Sequence, residues 1–283
     1  MGAHVDLHMH TRHSDGACSV TEVLDMVRLR NLAAFAITDH DTLAGYRKAV
    51  ELLNGQESQA RLICGVELSV DMGEGGHRDI HLLAYGIDPD HEGLNDALQS
   101  FRDERNRRGQ MMVERLNQLG MDVTYEQVQK LAGSAAVSRP HVAEALMERG
   151  YVSTPVEAFH RWIALGGPAY VPKRKFSPEE AISLIHDAGG AAVLAHPMID
   201  HAIDHLQTLT DLGLDGIEAY HSAHSRSDTD RLTHLAGQYR LIITGGSDFH
   251  SREGRYGAIG SQKVPVRILE QLDTRVNQIR GQK

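Results

Sequence analysis

The residues His4-Val5-Asp6-Leu7-His8-Met9-His10 open the chain with a short β-forming segment that runs directly into two histidines. Successive side chains of a strand point to opposite faces, so His8 and His10 are expected on the same side. The segment therefore predicts a first strand, His4–His8, that ends in polar groups pointing in one direction.

Six further segments have the short, apolar and β-rich composition of strands. They are Ala34–Thr38, Arg61–Leu68, Asp79–Tyr85, Ala191–His196, Gly216–Tyr220 and Leu241–Gly245. Amphipathic stretches lie between most of them, and one begins at Pro178, directly after the candidate N-cap Ser177. Alternation of strands and helices predicts an α/β fold with a mostly parallel sheet. Seven strands in one domain favour a barrel over an open sheet.

Residues from about Pro89 to Pro168 contain no convincing strand and interrupt this alternation. Helices are predicted at Phe101–Leu119, Tyr125–Leu131, Arg139–Arg149 and Pro155–Leu165. We interpret residues 91–167 as an all-helical insertion, or cap domain, and residues 1–90 and 168–283 as the barrel domain. The alternative is a set of additional barrel helices whose strands leave no recognisable pattern.

The composition excludes several classes of protein. The chain of 283 residues has 29 Lys and Arg against 38 Asp and Glu, a net charge of −9, whereas general nucleic-acid coats carry a basic face. Hydrophobic residues make up 41%, enough for a sizeable core. No apolar run reaches the roughly 20 residues that a membrane-spanning helix needs. The first strand begins at His4, which leaves no room for a signal peptide.

The two cysteines, Cys18 and Cys64, do not form a Cys-x-x-Cys motif. This excludes a disulfide framework and a thiolate zinc site, and it favours a reducing compartment. We therefore expect a cytoplasmic protein that is not associated with a membrane. Histidine, by contrast, is abundant at 18 residues, and it is the commonest metal ligand in proteins.

Histidines and carboxylates recur at the ends of the predicted strands. The nine that stand out are His8, His10, Asp15, His40, Glu67, His81, His196, Asp248 and His250. Each one alone is a weak signal, because a polar residue after a strand is usually an ordinary loop residue. The carboxyl ends of the strands of a parallel barrel face one mouth, where the active sites of such folds lie. The joint pattern therefore predicts that all nine converge on a metal centre.

Imidazoles and carboxylates without a thiolate suit Mn²⁺, Fe²⁺ or Zn²⁺ better than Mg²⁺ or Ca²⁺. Nine ligands exceed what one ion can use, so we expect two or three divalent ions, Mn²⁺ first among them, with Glu67 as a bridging carboxylate. The ions would outweigh the negative charge of Asp15, Glu67 and Asp248 and leave a cationic pocket suited to a phosphoryl dianion. They would also lower the pKa of water from about 16 towards about 7 and so supply a nucleophile.

Taken together, the motifs resemble those of a known superfamily. They are Asp6-Leu7-His8-Met9-His10-Thr11, Ser14-Asp15-Gly16, Thr38-Asp39-His40-Asp41, Gly65-Val66-Glu67, His81, Ala195-His196-Pro197 and Ser247-Asp248-Phe249-His250. The chain resembles the PHP (polymerase and histidinol phosphatase) superfamily along its whole length apart from the helical insertion. The resemblance implies a distorted seven-stranded (β/α) barrel that holds a phosphoesterase site with two or three metal ions.

The resemblance also implies a ligand set for each ion. The first ion would be held by His8, His10, Glu67 and Asp248, the second by Glu67, His81 and His196, and the third by Asp15, His40 and His250. Several PHP proteins carry a histidine where this chain has Asp15. A carboxylate at this position is expected to weaken or retune the third site.

Three further stretches resemble the branch of the superfamily that hydrolyses nucleoside 3′,5′-bisphosphates and trims short RNA from its 5′ end. They are Ser138-Arg139-Pro140-His141, Tyr170-Val171-Pro172-Lys173-Arg174-Lys175 and Ile217-Glu218-Ala219-Tyr220-His221. A helix N-terminus binds phosphate through free N–H groups, arginine adds a bidentate donor, and lysine adds a point charge. Phosphate contacts are therefore expected from Ser138, Arg139, His141, Lys173, Lys175 and His221. The plainer alternatives are an ordinary capped helix with a surface arginine, and a solvated basic loop.

These residues predict metal-dependent hydrolysis of the 3′-phosphate of a nucleoside 3′,5′-bisphosphate, with short 5′-phosphorylated RNA as a further substrate. A hydroxide bridging the ions would attack in line, and His221 is the candidate general acid for the leaving ribose oxygen. Arg139, His141 and Lys173 would hold the distant 5′-phosphate. The expected partner is a small nucleotide, and we expect a monomer.

Three other functions compete with this one. A histidinol phosphatase, or another PHP phosphomonoesterase, would share the metal site without needing a 5′-phosphate pocket. Processive RNA degradation would need a long single-strand groove, which the net charge of −9 and an aromatic content of 5% disfavour. A non-catalytic metal-binding module predicts missing ligands, whereas every expected ligand position is filled.

Overall fold

The computed structural model describes residues 4–55, 60–73, 79–133, 135–172, 175–199, 201–252 and 257–282. The chain forms two compact units, of which the first comprises Met1–Asp96 and Lys175–Lys283 and the second comprises Ala97–Arg174. Within the described residues, the strands all belong to the first unit, and the second is built from helices. The domain limits expected at residues 91 and 167 stay a prediction.

Eight strands form one sheet in the described part of the first unit. In chain order they are β1 (His4–Asp6), β2 (Ala34–Ile37), β3 (Arg61–Asp71), β4 (Asp79–Tyr85), β5 (Ala191–Leu194), β6 (Gly216–Tyr220), β7 (Ile242–Gly245) and β8 (Val264–Pro265). Their order in the sheet is β7-β6-β5-β4-β3-β2-β1-β8. All seven strands expected from the sequence are present. The additional strand, β8, has only 2 residues and therefore carries no periodic signal.

The sheet closes on itself next to β1. Beyond β1, the chain continues alongside the segment that follows β7. The Leu7 N–H donates to the Gly245 carbonyl at 3.1 Å, and the His10 N–H donates to the Phe249 carbonyl at 2.9 Å. β8 lies antiparallel along the start of β1. The α/β barrel expected from the sequence is therefore confirmed.

The expectation that the ligands lie at carboxyl ends of parallel strands is wrong for β4. β1, β2 and β3 are parallel neighbours, as are β5, β6 and β7, but β4 runs antiparallel to both β3 and β5. Only residues 72–78 join β3 to β4, whereas a parallel crossover needs about a dozen residues or more. The two strands therefore form a hairpin, and the start of β4 is the end that lies beside the carboxyl ends of its neighbours.

The helices follow the expected alternation. Those of the described residues are α1 (Val20–Leu29), α2 (Ala44–Leu53), α3 (Glu92–Gln118), α4 (Tyr125–Ala132), α5 (Arg139–Glu148), α6 (Pro155–Ala158), α7 (Pro178–Asp187), α8 (Leu206–Asp211), α9 (Arg226–Tyr239) and α10 (Ile268–Gly281). A π-helical turn, Phe159–Ile163, extends α6, and a 3-10 turn, Ala202–His205, precedes α8. The predicted N-cap is confirmed, because the Ser177 hydroxyl accepts the Glu180 N–H at 3.2 Å. No described helix is long and apolar enough to cross a membrane.

Strand residues are buried on both faces of the sheet. Along β2, Ala34 and Ala36 belong to one apolar cluster, which also contains Leu272 on α10. Phe35 and Ile37, on the opposite face, belong to a second cluster that includes residues of α1. Because side chains on both faces are buried, consecutive positions of the strand are apolar. Burial of a side chain such as Leu272 contributes about 1.5–3 kcal/mol.

A buried carboxylate ties the closing segments of the barrel together. Asp6 is 1% exposed, its Oδ1 accepts the Ser247 N–H at 2.9 Å, and its Oδ2 accepts the Gly260 N–H at 2.7 Å. Burial raises the pKa of Asp6 above its usual value, although these hydrogen bonds oppose the shift. The strand that leads to His8 is thereby fastened to the segment that leads to Asp248.

The second unit has an apolar core of its own. Buried side chains from α3, α4, α5 and the π-helical turn form it, among them Leu116, Val128, Leu146 and Ile163. The unit also fixes the segment that returns to the first unit, because Nε of Arg108 donates to the Val171 carbonyl at 2.7 Å.

The packing around Gly45 in α2 generates a test of the fold. A Cβ at Gly45 would overlap Oδ2 of Asp39 and would come within 2.9 Å of Cγ2 of Ile37. In an unhindered helix, alanine is favoured over glycine by about 1 kcal/mol. We expect the Gly45→Ala variant instead to lose about 1–3 kcal/mol of its free energy of unfolding, because overpacking outweighs that gain.

Urea denaturation checks this prediction, and Gly237 supplies the control. Gly237 lies in α9, and apart from its chain neighbours and the backbone of its own helix no described atom lies within 4 Å of a Cβ added there. Gly237→Ala should therefore stabilise the protein by about 0.5–1 kcal/mol. Equal stabilisation by both substitutions would contradict the packing of α2 against Asp39.

Candidate metal centre

All nine predicted metal ligands are described, and their side chains form one continuous cluster in the first unit. β3 and β4 provide Glu67 and His81, and the segments that follow β1, β2, β5 and β7 provide the others, namely His8, His10, Asp15, His40, His196, Asp248 and His250. Parallel bridges between Met9 and Phe249 and between His40 and Glu67 keep these segments in register.

The first donor group consists of His8, His10, Glu67 and Asp248. The Nε2 atoms of His8 and His10 are 3.1 Å apart, and they lie 3.3 and 3.1 Å from Oε2 of Glu67. The same two atoms lie 3.3 and 3.2 Å from Oδ1 of Asp248. Such distances are expected between donor atoms that each lie about 2 Å from one ion, the length of a zinc–nitrogen bond. The donor atoms of His8, His10 and Asp248 lie close enough together to hold an ion, and Oε2 of Glu67 lies beside the two histidines.

The second donor group consists of Glu67, His81 and His196. Oε1 of Glu67 lies 2.9 Å from Nδ1 of His81 and 3.1 Å from Nε2 of His196, and these two nitrogens are 3.3 Å apart. Three protein donors leave one coordination position open, as in catalytic zinc sites. Because the first group uses Oε2 and the second uses Oε1, Glu67 faces both groups at once.

The third donor group, Asp15, His40 and His250, is more open. Asp15 Oδ1 lies 3.4 Å from Nε2 of His250, and its Oδ2 lies 3.7 Å from Nε2 of His40. His10 borders this group as well, since its Nδ1 lies 3.6 Å from Asp15 Oδ1. Donor atoms of these four residues lie close enough together to hold an ion.

The charges of the cluster suit a cation. Burial alone would raise the pKa of Glu67, but the surrounding imidazoles hold it well below its usual value. The pKa of Asp248 is likewise held well below its usual value by neighbouring imidazoles, against the effect of burial. Burial lowers the pKa of His40 to about 3, which keeps that ring in the neutral form that binds metals. The carboxylates of Glu67 and Asp248 therefore stay ionised.

Asp39 holds the loop that presents Asp15. Its Oδ1 accepts the Thr11 N–H and the Ser14 hydroxyl, both at 2.7 Å, and its Oδ2 accepts the Thr11 hydroxyl at 2.7 Å. Hydrogen bonds to an ionised group are stronger than neutral ones. One buried carboxylate therefore fixes the loop between His10 and Asp15.

The sequence predictions do not include Glu218 as a site residue, yet it lies against the first donor group. Glu218 is in β6 and 0% exposed, and its two oxygens lie 3.1 and 3.2 Å from Nδ1 of His8. The signal in the sequence was a carboxylate in the otherwise apolar run Ile217-Glu218-Ala219, because a charge is rarely buried without partners.

His221, the candidate general acid, lies beside the first donor group. Its Nδ1 accepts the Ala223 N–H at 3.1 Å, and its Nε2 lies 3.3 Å from Oδ2 of Asp248. Because a backbone N–H donates to Nδ1, the proton of the neutral ring is on Nε2 and points at Asp248. The ring is 1% exposed.

Three predicted phosphate contacts, Ser138, Arg139 and His141, lie in the second unit. Ser138 precedes α5 as its N-cap, and its N–H donates to Nδ1 of His141 at 3.2 Å. The guanidinium of Arg139 lies over the ring of Phe159, 5.5 Å from the ring centroid. The first turn of α5 is thus an ordered helix start with a cation on its first residue.

The surroundings of Arg139 are strongly basic. Burial, together with the positive charges of Arg139 and Arg105, lowers the pKa of Arg108 to about 10. The guanidinium groups of Arg139 and Arg105 are therefore near enough to act on Arg108 within the second unit. Such a cluster favours an anion as its partner.

Of the two predicted lysine contacts, Lys173 lies outside the described residues. Lys175 is in the first unit, and its side chain is 8% exposed, with Nζ lying 3.8 Å from Oδ2 of Asp71 at the end of β3. Lys175 is thus a largely buried residue and not part of a solvated loop.

Three of the seven described non-glycine residues with a positive φ angle lie at or directly beside the site. Asp41, His196 and Asp248 have positive φ angles of 53°, 28° and 52°. This region is unfavourable for residues other than glycine, and such residues cluster at functional sites because the surroundings must hold them there. Two of the three carry donor atoms of the groups described above.

Comparison with known proteins shows what the chain is similar to. Residues 6–164 match the PHP domain family. The phosphoribosyl 1,2-cyclic phosphate 1,2-diphosphodiesterase of Eggerthella lenta is 32% identical over 92% of this chain and 99% of its own length. The 5′-3′ exoribonuclease Rnm of Salmonella typhimurium is 33% identical over 87% of this chain and 84% of its own. The 3′,5′-nucleoside bisphosphate phosphatase of Chromobacterium violaceum is 33% identical over 88% of each.

A solved structure agrees with this assignment. A protein of Bifidobacterium adolescentis, assigned as a metal-dependent phosphoesterase, superposes with a TM-score of 0.83 at 29% identity, over 97% of both chains. The family match covers more than half of the chain, and relatives at least 32% identical cover most of it. The chain therefore belongs to the PHP domain family.

Proposed function

We propose that this protein is a metal-dependent phosphoesterase that removes the 3′-phosphate of nucleoside 3′,5′-bisphosphates, and that short 5′-phosphorylated RNA is a further substrate. The observation that supports it most directly is the sharing of Glu67 between two donor groups, with Oε2 in one and Oε1 in the other. One relative is named for the phosphatase activity and another for the exoribonuclease activity, and each is 33% identical to the chain.

The donor atoms fit divalent ions of the manganese, iron and zinc type. The first and second groups together offer four imidazole nitrogens and two carboxylates, with no thiolate. We propose Mn²⁺ as the resident ion, two ions in these groups, and a third among Asp15, His40 and His250. Bound there, the ions would polarise the phosphoryl oxygens and lower the pKa of a water molecule that becomes the nucleophile.

The residues of the barrel hold this arrangement rigid. Glu67 sets the spacing between the two groups, and Asp39 fixes the loop of Asp15. Asp248 is held between His8, which is also in the first donor group, and His221. Preorganised charges of this kind stabilise a transition state without rearranging during the reaction.

The residues of α5 are proposed to bind the 5′-phosphate. Ser138 and His141 form the start of that helix, where the positive end of the helix dipole favours an anion. Arg139 adds a guanidinium next to those of Arg105 and Arg108. Lys173 and Lys175 are proposed to add charge. Binding of a phosphate remote from the reacting ester would supply energy for orienting the substrate.

His221 is proposed to protonate the leaving ribose oxygen. For this step the ring has to be the imidazolium, because neutral imidazole is too weak an acid, and the proton would leave from Nε2, the atom that contacts Asp248 in the first donor group. The same hydrogen bond gives His221 a competing role, in which it only orients Asp248. The two roles differ in how strongly activity should depend on the leaving group.

A second candidate function is hydrolysis of a cyclic phosphodiester on phosphorylated ribose. The observation that favours it is the similarity to the Eggerthella lenta diphosphodiesterase, which extends over 99% of that protein. The same metal centre could act on either ester, and a phosphate on the sugar could occupy the same cationic start of α5.

A monomeric state and a cytoplasmic location stay predictions.

The proposed reaction predicts one product. The Mn²⁺-loaded protein, incubated with adenosine 3′,5′-bisphosphate, should release phosphate and leave 5′-AMP as the only nucleotide. Chromatography that separates 5′-AMP from 3′-AMP checks this. Release of 3′-AMP would contradict the proposed orientation. Turnover of phosphoribosyl 1,2-cyclic phosphate alone would select the second candidate.

The donor groups predict how metal content responds to substitution. Glu67→Gln should lower bound Mn²⁺ to at most about one ion per chain, because Glu67 belongs to two groups. Asp15→Asn should remove no more than the ion of the third group. Elemental analysis after equilibrium dialysis against Mn²⁺ measures both. Glu67→Gln protein with the metal content of the wild type would contradict the shared site.

The 5′-phosphate contact predicts a substrate-dependent loss. A hydrogen bond to a charged group contributes about 1.5–3 kcal/mol, so Arg139→Ala should lower kcat/KM for the bisphosphate roughly 10- to 150-fold. The value for 3′-AMP, which lacks the 5′-phosphate, should change little. Arg161→Ala is the matched control, because Arg161 also lies over an aromatic ring, that of Trp162. Equal losses on both substrates would overturn the assignment of Arg139.

The role of His221 is tested by varying the leaving group. As a general acid, His221 should matter for a ribose oxygen and much less for p-nitrophenolate, which leaves without a proton. We expect His221→Asn to slow bisphosphate hydrolysis about 100-fold or more and p-nitrophenyl phosphate hydrolysis less than about tenfold. Similar losses on both would leave His221 as a residue that orients Asp248.

A further inference from the structure

Two buried carboxylates, Glu218 in β6 and Asp215 directly before it, make similar contacts. Asp215 differs in that it also pairs with Arg275. Each accepts a backbone N–H from the region of β5 and faces a histidine ring. Asp215 Oδ2 accepts the Ala192 N–H at 2.8 Å and lies 2.8 Å from Nε2 of His186. Glu218 Oε2 accepts the His196 N–H at 2.8 Å, and the carboxylate faces Nδ1 of His8. One pair of contacts reaches the metal centre and the other does not.

The contact with His8 decides which nitrogen of that ring is free to bind a metal. Glu218 Oε1 lies 3.1 Å from Nδ1 of His8, so the carboxylate accepts the Nδ1 proton. The lone pair of the neutral ring is then on Nε2, which lies among the donor atoms of His10, Glu67 and Asp248. A histidine that binds a metal through one nitrogen usually donates the other N–H to a carboxylate, which fixes the tautomer and the ring orientation.

The contact with His196 acts on the backbone of the second donor group. His196 has a φ of 28°, which is unfavourable for a residue with a side chain. Its N–H is held by Glu218, and its Nε2 lies 3.1 Å from Oε1 of Glu67. The hydrogen bond therefore helps to maintain the backbone conformation from which His196 reaches the second group.

We infer that Glu218 is a positioning residue for the metal centre, which orients His8 in the first donor group and holds the backbone of His196 in the second. One side chain, buried in a strand that provides no ligand of its own, would thus support both groups. This inference rests on the proposed metal centre.

Chemistry predicts that glutamine cannot replace Glu218. Both groups that face the carboxylate are donors, namely the His196 N–H and the Nδ1–H of a metal-bound His8. Glutamine offers one acceptor oxygen and one NH₂ donor, so its NH₂ group must oppose one of the two N–H groups. The conflict disfavours the tautomer of His8 that binds a metal, or it releases the backbone of His196.

The experiment compares Mn²⁺ affinity, measured by competition with a chelator, among the wild type, Glu218→Gln and Asp215→Asn. Loss of such a partner typically weakens metal binding about 10- to 100-fold, and we expect Glu218→Gln to fall in this range. Asp215→Asn makes the same exchange of carboxylate for amide directly before the strand of Glu218 and should leave the Mn²⁺ affinity within about twofold. Thermal unfolding of the metal-free proteins shows whether the two variants lose similar stability.

Each result bears on the inference. Unchanged affinity in Glu218→Gln, or equal weakening in both variants, would overturn it, because the effect would then be absent or a general loss of stability. A wild type that binds no Mn²⁺ would instead remove the proposed metal centre itself.

The inference can also be tested on the wild-type protein, so that the result does not depend on the folding of a variant. In the Zn²⁺-loaded protein, nitrogen NMR of the histidine rings should show His8 with its proton on Nδ1, protected from exchange by Glu218. A His8 ring that binds Zn²⁺ through Nδ1, with its proton on Nε2, would overturn the inference.

Discussion

Glu67 is 1% exposed on β3, and its two oxygens are shared between two sets of imidazoles. A buried charge of this kind is costly unless it is paired, so the surrounding histidines and the carboxylate need one another. The distance between the two donor groups is limited to the width of one carboxylate. Five histidine rings have to be brought to within 2.9–3.3 Å of one of those oxygens, namely His8, His10, His40, His81 and His196. This is a demand on the whole barrel.

The barrel meets this demand by closing on β1 and by reversing one strand. Closure places the segment of His8 and His10 beside the segment of Asp248, and Asp6 fastens the two through backbone N–H groups. The reversal of β4 brings His81 to the same end, although it lies near the start of its strand. Buried carboxylates that bind no metal in this scheme, Asp39 and Glu218, hold the loops and rings in place.

Much of this could be predicted from the sequence, because the signals are local. Seven strands and the N-cap Ser177 were recognised from composition and turn chemistry, and the nine ligand candidates were recognised from their positions at strand ends. The direction of β4 could also have been deduced, since residues 72–78 are too few for a crossover. β8 could not, because 2 residues have no period and pair only when β1 presents a free edge. Glu218 was visible only as an unexplained charge in an apolar strand.

The sequence by itself determined which residues could bind metal, since the chemistry of imidazole and carboxylate groups belongs to the side chains and their order along the strands. Only the tertiary structure decided which oxygen of Glu67 faces which histidines, which nitrogen of His8 is free, and which carboxylates position the ligands. Those choices depend on contacts between different strands and loops, which join residues as far apart along the chain as His8 and Glu218. Contacts of that separation leave no pattern in the sequence, because they exist only once the barrel has closed.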